Sequence, residues 1–245
     1  MKDNAIIKKL SYFIMPLIGC LFLLWYVRTA GADVVYSDYI RLIAQYLPDV
    51  YDIRKLLVPD ILTRIPITFL ERLINVRAFG YSVTFERLLG VTGIGIMAIV
   101  TAVYSYKYEI SFKWQAVIYI VLFSLNKWEI ILNGTAWSHI AAFGFFFINY
   151  YLVDKIWRGE TNAKEELLLC VMPLTHLLIA GEYIASYCVT MILVSIAGIL
   201  MGGTNSCTVK RCRSVFRAVL ISSLAALLLY MLSRHFAVWE HSGAT

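Results

Sequence analysis

Long apolar stretches recur along this chain of 245 residues and limit its possible fold more than any other feature. A helix that crosses a bilayer needs ~20 mostly apolar residues. Seven candidate stretches are present, several of them short: 10–27, 88–106, 114–125, 138–153, 167–180, 183–201 and 214–232. They predict an all-α, polytopic membrane protein with about seven transmembrane helices. The composition agrees, because 60% apolar and only 16% charged residues argue against a soluble enzyme and exclude a disordered chain.

Two of these stretches need interpretation. Lysines precede the first one, as in a signal peptide, but residues 28–33 make a poor cleavage site, so we expect a retained helix. The apolar run over 167–201 would be ~52 Å long as a single helix, which is too long for one span. Gly181-Glu182 near its middle predicts a tight hairpin that separates two spans.

Basic residues are distributed unequally between the two sides of the predicted spans. With the N-terminus inside, the inner segments hold twelve lysines and arginines, and the short outer segments hold two. The inner residues are Lys2, Lys8, Lys9, Lys107, Lys113, Lys155, Arg158, Lys164, Lys210, Arg211, Arg213 and Arg217, and the outer ones are Lys127 and Arg234. Cytoplasmic loops carry such an excess. The bias predicts a multi-pass protein of the cell membrane, with the N-terminus cytoplasmic and the C-terminus outside. It also accounts for the net charge of +6 without nucleic-acid binding.

The predicted organisation is one membrane domain over residues 1–245. It comprises a first span at 10–27, an outer loop with interfacial helices at 29–87, six further spans within 88–232 and an outer tail at 233–245. The lipid bilayer is therefore the main environment of the chain.

The long first loop carries apolar residues at helical spacing. One helix is predicted from Tyr36, Tyr39, Ile40, Ile43 and Tyr46–Leu47. A second is predicted to begin at Pro66, a favoured first-turn residue, and to group Leu70, Leu73 and Ile74. Ser82 is a suitable cap for the next span. We expect these helices to lie flat in the membrane interface; a solvated cap without chemistry is the alternative.

Four carboxylates fall on the predicted outer side: Asp33, Asp38, Glu129 and Glu182. Acidic residues at membrane depth are costly and often functional. A carboxylate there can act as a general base toward a hydroxyl, and the loop arginines can hold a phosphate bidentately. The combination suits chemistry on a lipid phosphate, although simple interfacial ion pairs would use the same residues.

Other motifs have structural interpretations. His139 and His176 have no second histidine or carboxylate three or four residues onward, so no metal site is predicted. Gly90-x-x-Gly93-x-Gly95 opens a span, which predicts close helix packing and not a nucleotide loop.

An acidic motif follows the first predicted span, a long loop of interfacial helices comes next, and spans with short loops complete the chain. The motifs in these segments are Gly31-Ala32-Asp33-Val34-Val35-Tyr36-Ser37-Asp38-Tyr39, Leu62-Thr63-Arg64-Ile65-Pro66 and Phe85-Glu86-Arg87-Leu88-Leu89-Gly90. Together they resemble the GT-C glycosyltransferases. The resemblance is clear over about residues 10–106 and is topological beyond them. The loop is similar to that of bacterial enzymes that modify cell-wall or surface polysaccharides.

The resemblance implies an inverting enzyme that takes a sugar from a polyprenyl-phosphate donor on the outer face. The acceptor would be a hydroxyl of a polysaccharide or a lipid-linked molecule, and no metal or cofactor is implied. The base would be Asp38, or else Asp33. The remaining site residues would be Arg64, Arg72 and Arg87 for the donor phosphate, with Glu129 and Glu182 orienting the acceptor or the base.

Size is the departure from this class, whose members are typically longer. The chain is therefore expected to correspond to the shared seven-span core. It would be a minimal enzyme, an enzyme that works with a second membrane subunit, or a truncated product. The alternative function is a non-catalytic membrane subunit for translocation or assembly of lipid-linked sugars. The predicted spans hold almost no ionisable residue apart from His176, which favours surface chemistry over transport.

Overall fold

The computed structural model describes residues 2–31, 50–53, 66–179, 183–201 and 207–235. Over these ranges the chain forms helices and turns and no β-strand. The helices are α1 (Lys2–Ala30), α2 (Pro66–Phe79), α3 (Val83–Lys107), α4 (Phe112–Leu122), α5 (Trp128–Leu132), α6 (Trp137–Trp157), α7 (Ala163–Ile179), α8 (Ile184–Met201) and α9 (Cys207–His235). The predicted all-α class is confirmed.

Helices occur at all seven predicted span positions. Among the described residues, five are long and apolar enough to cross a bilayer: Leu10–Ala30, Val83–Lys107, Phe112–Leu132, Gly134–Trp157 and Lys210–Leu232. α8 adds a shorter apolar stretch, and α7 has 17 residues. The chain is therefore a polytopic membrane protein, and the count of seven spans stays a prediction for these two helices.

The third span differs from its predicted form. A single helix was expected over 114–125, but α4 ends at Leu122 and a 3₁₀ turn, Leu125–Lys127, separates it from α5. The hydroxyl of Ser124 accepts a hydrogen bond from the backbone N–H of Asn126 at 3.2 Å. This side-chain bond offers the backbone an alternative to continuing the helix. From its position after this predicted span, Glu129 is expected in a short outer loop; that expectation is wrong, because Glu129 lies in α5.

The chain divides into two compact units, Met1–Pro48 with Ile74–Tyr151 and Asp49–Leu73 with Leu152–Thr245. We call them unit 1 and unit 2. The single membrane domain expected from the sequence stays a prediction.

In unit 1, α1 and α3 run antiparallel. The rings of Tyr12 and Tyr106 meet edge to face at one end, with centroids 5.8 Å apart, and Gly31 lies beside Arg87 at the other. α4 also packs against α3, where the hydroxyl of Tyr119 donates to the carbonyl of Ala98 at 3.2 Å. The core between these helices is made by residues such as Leu23, Val27, Ile94, Met97 and Leu122. Antiparallel neighbours agree with spans that cross in alternating directions.

The glycine motif of α3 provides the contact with α6. A β-carbon placed on Gly93 would lie 2.9 Å from Ile140 Cγ2, and one on Gly90 would lie 3.1 Å from Ile140 Cδ1. The absence of side chains therefore lets Ile140 approach the backbone of α3. The prediction of close helix packing is confirmed.

This contact yields a stability prediction. We expect Gly93→Leu to lower the free energy of unfolding by about 1–3 kcal/mol, because a larger side chain overpacks the site. Gly144→Ala is the control, since a β-carbon there meets no atom within 4 Å. Alanine also favours helix over glycine by ~1 kcal/mol. Thermal unfolding in detergent compares the two variants; equal melting temperatures would contradict the packing argument.

In unit 2, α8 and α9 also pack through a glycine. The ring of Phe216 lies directly on Gly198, and the ring of Trp157 lies 6.1 Å from that of Phe216. Between α7 and α8, His176 meets Tyr187 edge to face at 4.2 Å, with both side chains fully buried. Aromatic rings therefore hold the helices of this unit together.

One end of unit 2 is organised by charges. Asn162 Oδ1 accepts from the N–H of Glu165 at 3.0 Å, and Glu165 Oε2 accepts from the N–H of Asn162 at 3.1 Å, which is a reciprocal cap for α7. Glu165 also pairs with Lys155, and Glu166 pairs with Arg211 at 2.8 Å. The N-termini of α7 and α9 therefore lie at the same end, where the sequence predicts the cytoplasmic side.

Candidate functional site

The helix predicted to begin at Pro66 is confirmed as α2. The side of α2 that was predicted to be apolar lies on the surface of the protein, since Leu70 and Ile74 are exposed and Leu73 is half-buried. The opposite side is polar and buried: Thr68, Glu71, Arg72 and Asn75. A helix with an apolar outer face and a polar inner face suits contact with lipid. The helix predicted around residues 36–47 lies outside the described residues.

A tight turn connects α2 to α3 and fixes the start of the second span. Gly80 and Tyr81 both have positive φ, 61° and 68°. The side-chain amide of Asn75 bonds both backbone groups of Ser82, accepting from its N–H at 2.8 Å and donating to its carbonyl at 3.1 Å. Ser82 Oγ then accepts from the N–H of Phe85 at 3.3 Å. The predicted cap at Ser82 is confirmed.

This turn positions two buried charged residues in the first turns of α3. Glu86 and Arg87 are only 1% and 3% exposed. Asn75 Nδ2 donates to Glu86 Oε1 at 3.4 Å, so one amide contacts both the cap and the carboxylate. A buried carboxylate next to a buried guanidinium is expensive to maintain without specific partners. The turn therefore places a carboxylate and a guanidinium next to each other in the buried first turns of α3.

Arg87 lies at the ends of two other helices of unit 1. Its Nε donates to the backbone carbonyl of Leu132, the last residue of α5, at 2.7 Å. Its Nη1 approaches the end of α1, where a β-carbon on Gly31 would lie only 2.6 Å away. Glycine at position 31 leaves the space for the guanidinium. In sequence, Asp33 follows two residues later.

The electrostatics of this position favour a cation. The last carbonyls of a helix have no intrahelical partners and carry a partial negative charge. Arg87 donates to such a carbonyl at the end of α5, and its Nη1 lies beside Gly31, directly after the end of α1. Guanidinium groups can also bind phosphate through two parallel hydrogen bonds. The site therefore provides a buried cation, held by the carbonyl of Leu132, at the end of the first span.

The other predicted site residues are distributed as follows. Arg72 is buried on α2 and belongs to unit 2. Glu129 is exposed on α5, the helix that provides the carbonyl to Arg87. Asp33, Asp38, Arg64 and Glu182 lie outside the described residues. The convergence of four outer carboxylates stays a prediction.

Two members of the site were not predicted from the sequence. Glu86 was quoted only as part of the motif Phe85-Glu86-Arg87-Leu88-Leu89-Gly90, and Asn75 was not singled out, although its spacing offered a signal. Thr68, Glu71, Arg72 and Asn75 recur three or four residues apart opposite Leu70 and Ile74, which marks a polar face on an otherwise apolar helix.

Comparison with known protein families, curated proteins and solved structures finds no match for this chain. Its function is therefore argued from its own residues.

Proposed function

We propose that the protein is a glycosyltransferase that moves a sugar from a polyprenyl-phosphate donor to an acceptor hydroxyl on the outer face of the membrane. Its role would be in the modification of cell-surface polysaccharide. Asp38, or else Asp33, takes the proton of the acceptor hydroxyl. The acceptor oxygen then bonds to the anomeric carbon, the bond from that carbon to the phosphate oxygen breaks, and polyprenyl phosphate leaves.

One observation carries the proposal. Arg87, predicted to hold the donor phosphate, is buried at the end of α1, with its Nη1 against Gly31. The acidic motif of the predicted base begins two residues after that glycine. A phosphate bound to the guanidinium would therefore lie near the start of that motif. The exposed apolar side of α2 agrees, since a polyprenyl chain reaches its site through lipid.

The hydrogen bond from Arg87 to Leu132 favours a second function. Because Nε already donates to Leu132, the guanidinium also serves to fasten α3 to α5. A membrane subunit for translocation or assembly of lipid-linked sugars would need only that fastening. Catalysis separates the two functions, since only the enzyme turns over the donor.

The test is sugar release from radiolabelled polyprenyl-phosphate sugars by the purified protein in lipid nanodiscs. We expect slow hydrolysis of at least one donor, because water can replace the acceptor hydroxyl. If no donor is either hydrolysed or bound, the enzyme is rejected and the membrane subunit is favoured.

The predicted orientation has its own test. A single cysteine at Tyr51 should react with a membrane-impermeant maleimide added outside intact cells, and one at Lys164 should react only after lysis. Both side chains are accessible, since Tyr51 and Lys164 are exposed. The reverse labelling pattern would place the proposed site on the cytoplasmic face and exclude an outer-face reaction.

A further inference from the structure

One face of α9 is basic over its first three turns. Lys210, Arg213 and Arg217 are three and four residues apart, so they lie on the same side of the helix. Lys210 and Arg217 are exposed, and Arg213 is half-buried. Arg211 lies on a different side, where it pairs with Glu166. We call Lys210, Arg213 and Arg217 the basic face.

Lys210 lies in the first turn of α9, where a helix disfavours a cation. The N-terminus of a helix carries a partial positive charge, which repels cations and attracts anions. The first turn of α9 contains no acidic residue that would offset this. Neither the helix dipole nor an acidic residue in that turn favours Lys210, whereas a bound anion would.

The same side of the helix continues as an exposed apolar face. Ile221, Leu224 and Leu228 follow at helical spacing and are 68%, 50% and 57% exposed. The opposite side packs inside unit 2 through buried residues such as Phe216, Val219 and Ala226. A ligand that covers the outer side would need an anionic head next to Arg217 and a hydrocarbon chain beyond it.

The dimensions match a phospholipid. The rise from Arg217 to Leu228 is ~16 Å, close to half of a hydrocarbon core of ~30 Å. Arginine side chains on a helix lean toward its N-terminus, so the guanidinium of Arg217 extends toward Lys210 and the membrane surface. In the predicted orientation the basic face would be level with lipid headgroups, and the apolar face would be level with the chains of one leaflet.

We propose that the basic face binds the phosphate of an anionic phospholipid whose acyl chains lie along Ile221, Leu224 and Leu228. The simpler explanation is that these cations only set the orientation of the last span by the positive-inside rule. That explanation requires positive charge but no bound lipid. Lipid affinity in the purified protein therefore distinguishes the two.

The experiment titrates the full chain in detergent with phosphatidylglycerol or phosphatidylcholine and counts bound lipids by native mass spectrometry. We expect wild type to prefer phosphatidylglycerol. The double variant Lys210→Gln, Arg217→Gln should bind it about 30-fold more weakly, from a factor of about five for each removed charge. The charge-keeping variant Lys210→Arg, Arg217→Lys should bind it like wild type.

The control removes two exposed cations elsewhere, Lys113→Gln and Lys164→Gln, and should leave the affinity unchanged. Three results would overturn the proposal: unchanged affinity in the Lys210, Arg217 double variant, an equal loss in the control, or no preference of wild type for phosphatidylglycerol. Tighter binding of a polyprenyl monophosphate than of phosphatidylglycerol would also overturn it, because the occupant would then be the sugar carrier. A melting curve of the glutamine variant recognises a failed fold, and the charge-keeping variant, which must still bind, shows that charge and not side-chain shape is required.

Discussion

Asp38→Asn is expected to lower the rate of sugar transfer by a factor of ~10² to 10⁴ while leaving the fold unchanged. A positioned general base contributes a rate factor of that size. Asparagine keeps the shape of the side chain but cannot accept the proton of the acceptor hydroxyl. The measurement is single-turnover transfer from a radiolabelled polyprenyl-phosphate sugar in nanodiscs.

Asp33→Asn is the matched control, because it changes the second carboxylate of the same motif. If Asp38 is the base, Asp33→Asn should retain most of the activity. The opposite ranking would assign the base to Asp33, and full activity in both variants would remove the motif from the mechanism. Circular dichroism and a melting curve on each variant ensure that a loss of transfer does not come from unfolding.

Arg87→Gln is expected to weaken binding of the polyprenyl-phosphate donor about 10- to 150-fold. Hydrogen bonds to charged groups contribute ~1.5–3 kcal/mol each. Glutamine removes the charge and the Nε–H that donates to Leu132. The free energy of unfolding should fall as well, by about 1–3 kcal/mol, because a buried carbonyl loses its donor. Donor titration and thermal unfolding in nanodiscs measure the two effects separately.

Arg77→Gln is the matched control for this variant. Arg77 is an exposed arginine in the last turn of the same α2 helix that carries Asn75. We expect it to change neither donor affinity nor stability by a measurable amount. A lower melting temperature with unchanged donor affinity in Arg87→Gln would assign Arg87 to helix fastening alone.

Much of the fold could be predicted because membrane spans and helix starts have local signals. Ser82 and Pro66 each mark a helix start, and the glycines of α3 predicted close packing before its partner was known. The break after Leu122 was missed, because apolar length alone does not reveal that Ser124 bonds the backbone ahead of it.

The candidate site was less predictable, because its geometry depends on contacts distant in sequence. Arg87 could be chosen as a phosphate ligand from its residue type and from the family resemblance, directly before the second span in sequence. That its guanidinium meets Gly31 and Leu132 could not be predicted, since these residues are separated from it by intervening helices. Asn75 was missed because its role depends on the turn that brings Ser82 back to it.

The bond from Arg87 to Leu132 also has a consequence for biosynthesis, because it joins residues 45 positions apart. At a synthesis rate of ~5–20 residues per second, ~2–9 s pass between the two residues leaving the ribosome. During that interval the guanidinium exists but its acceptor does not. This hydrogen bond therefore forms late in assembly, because the first and second spans are made before the residue that accepts it.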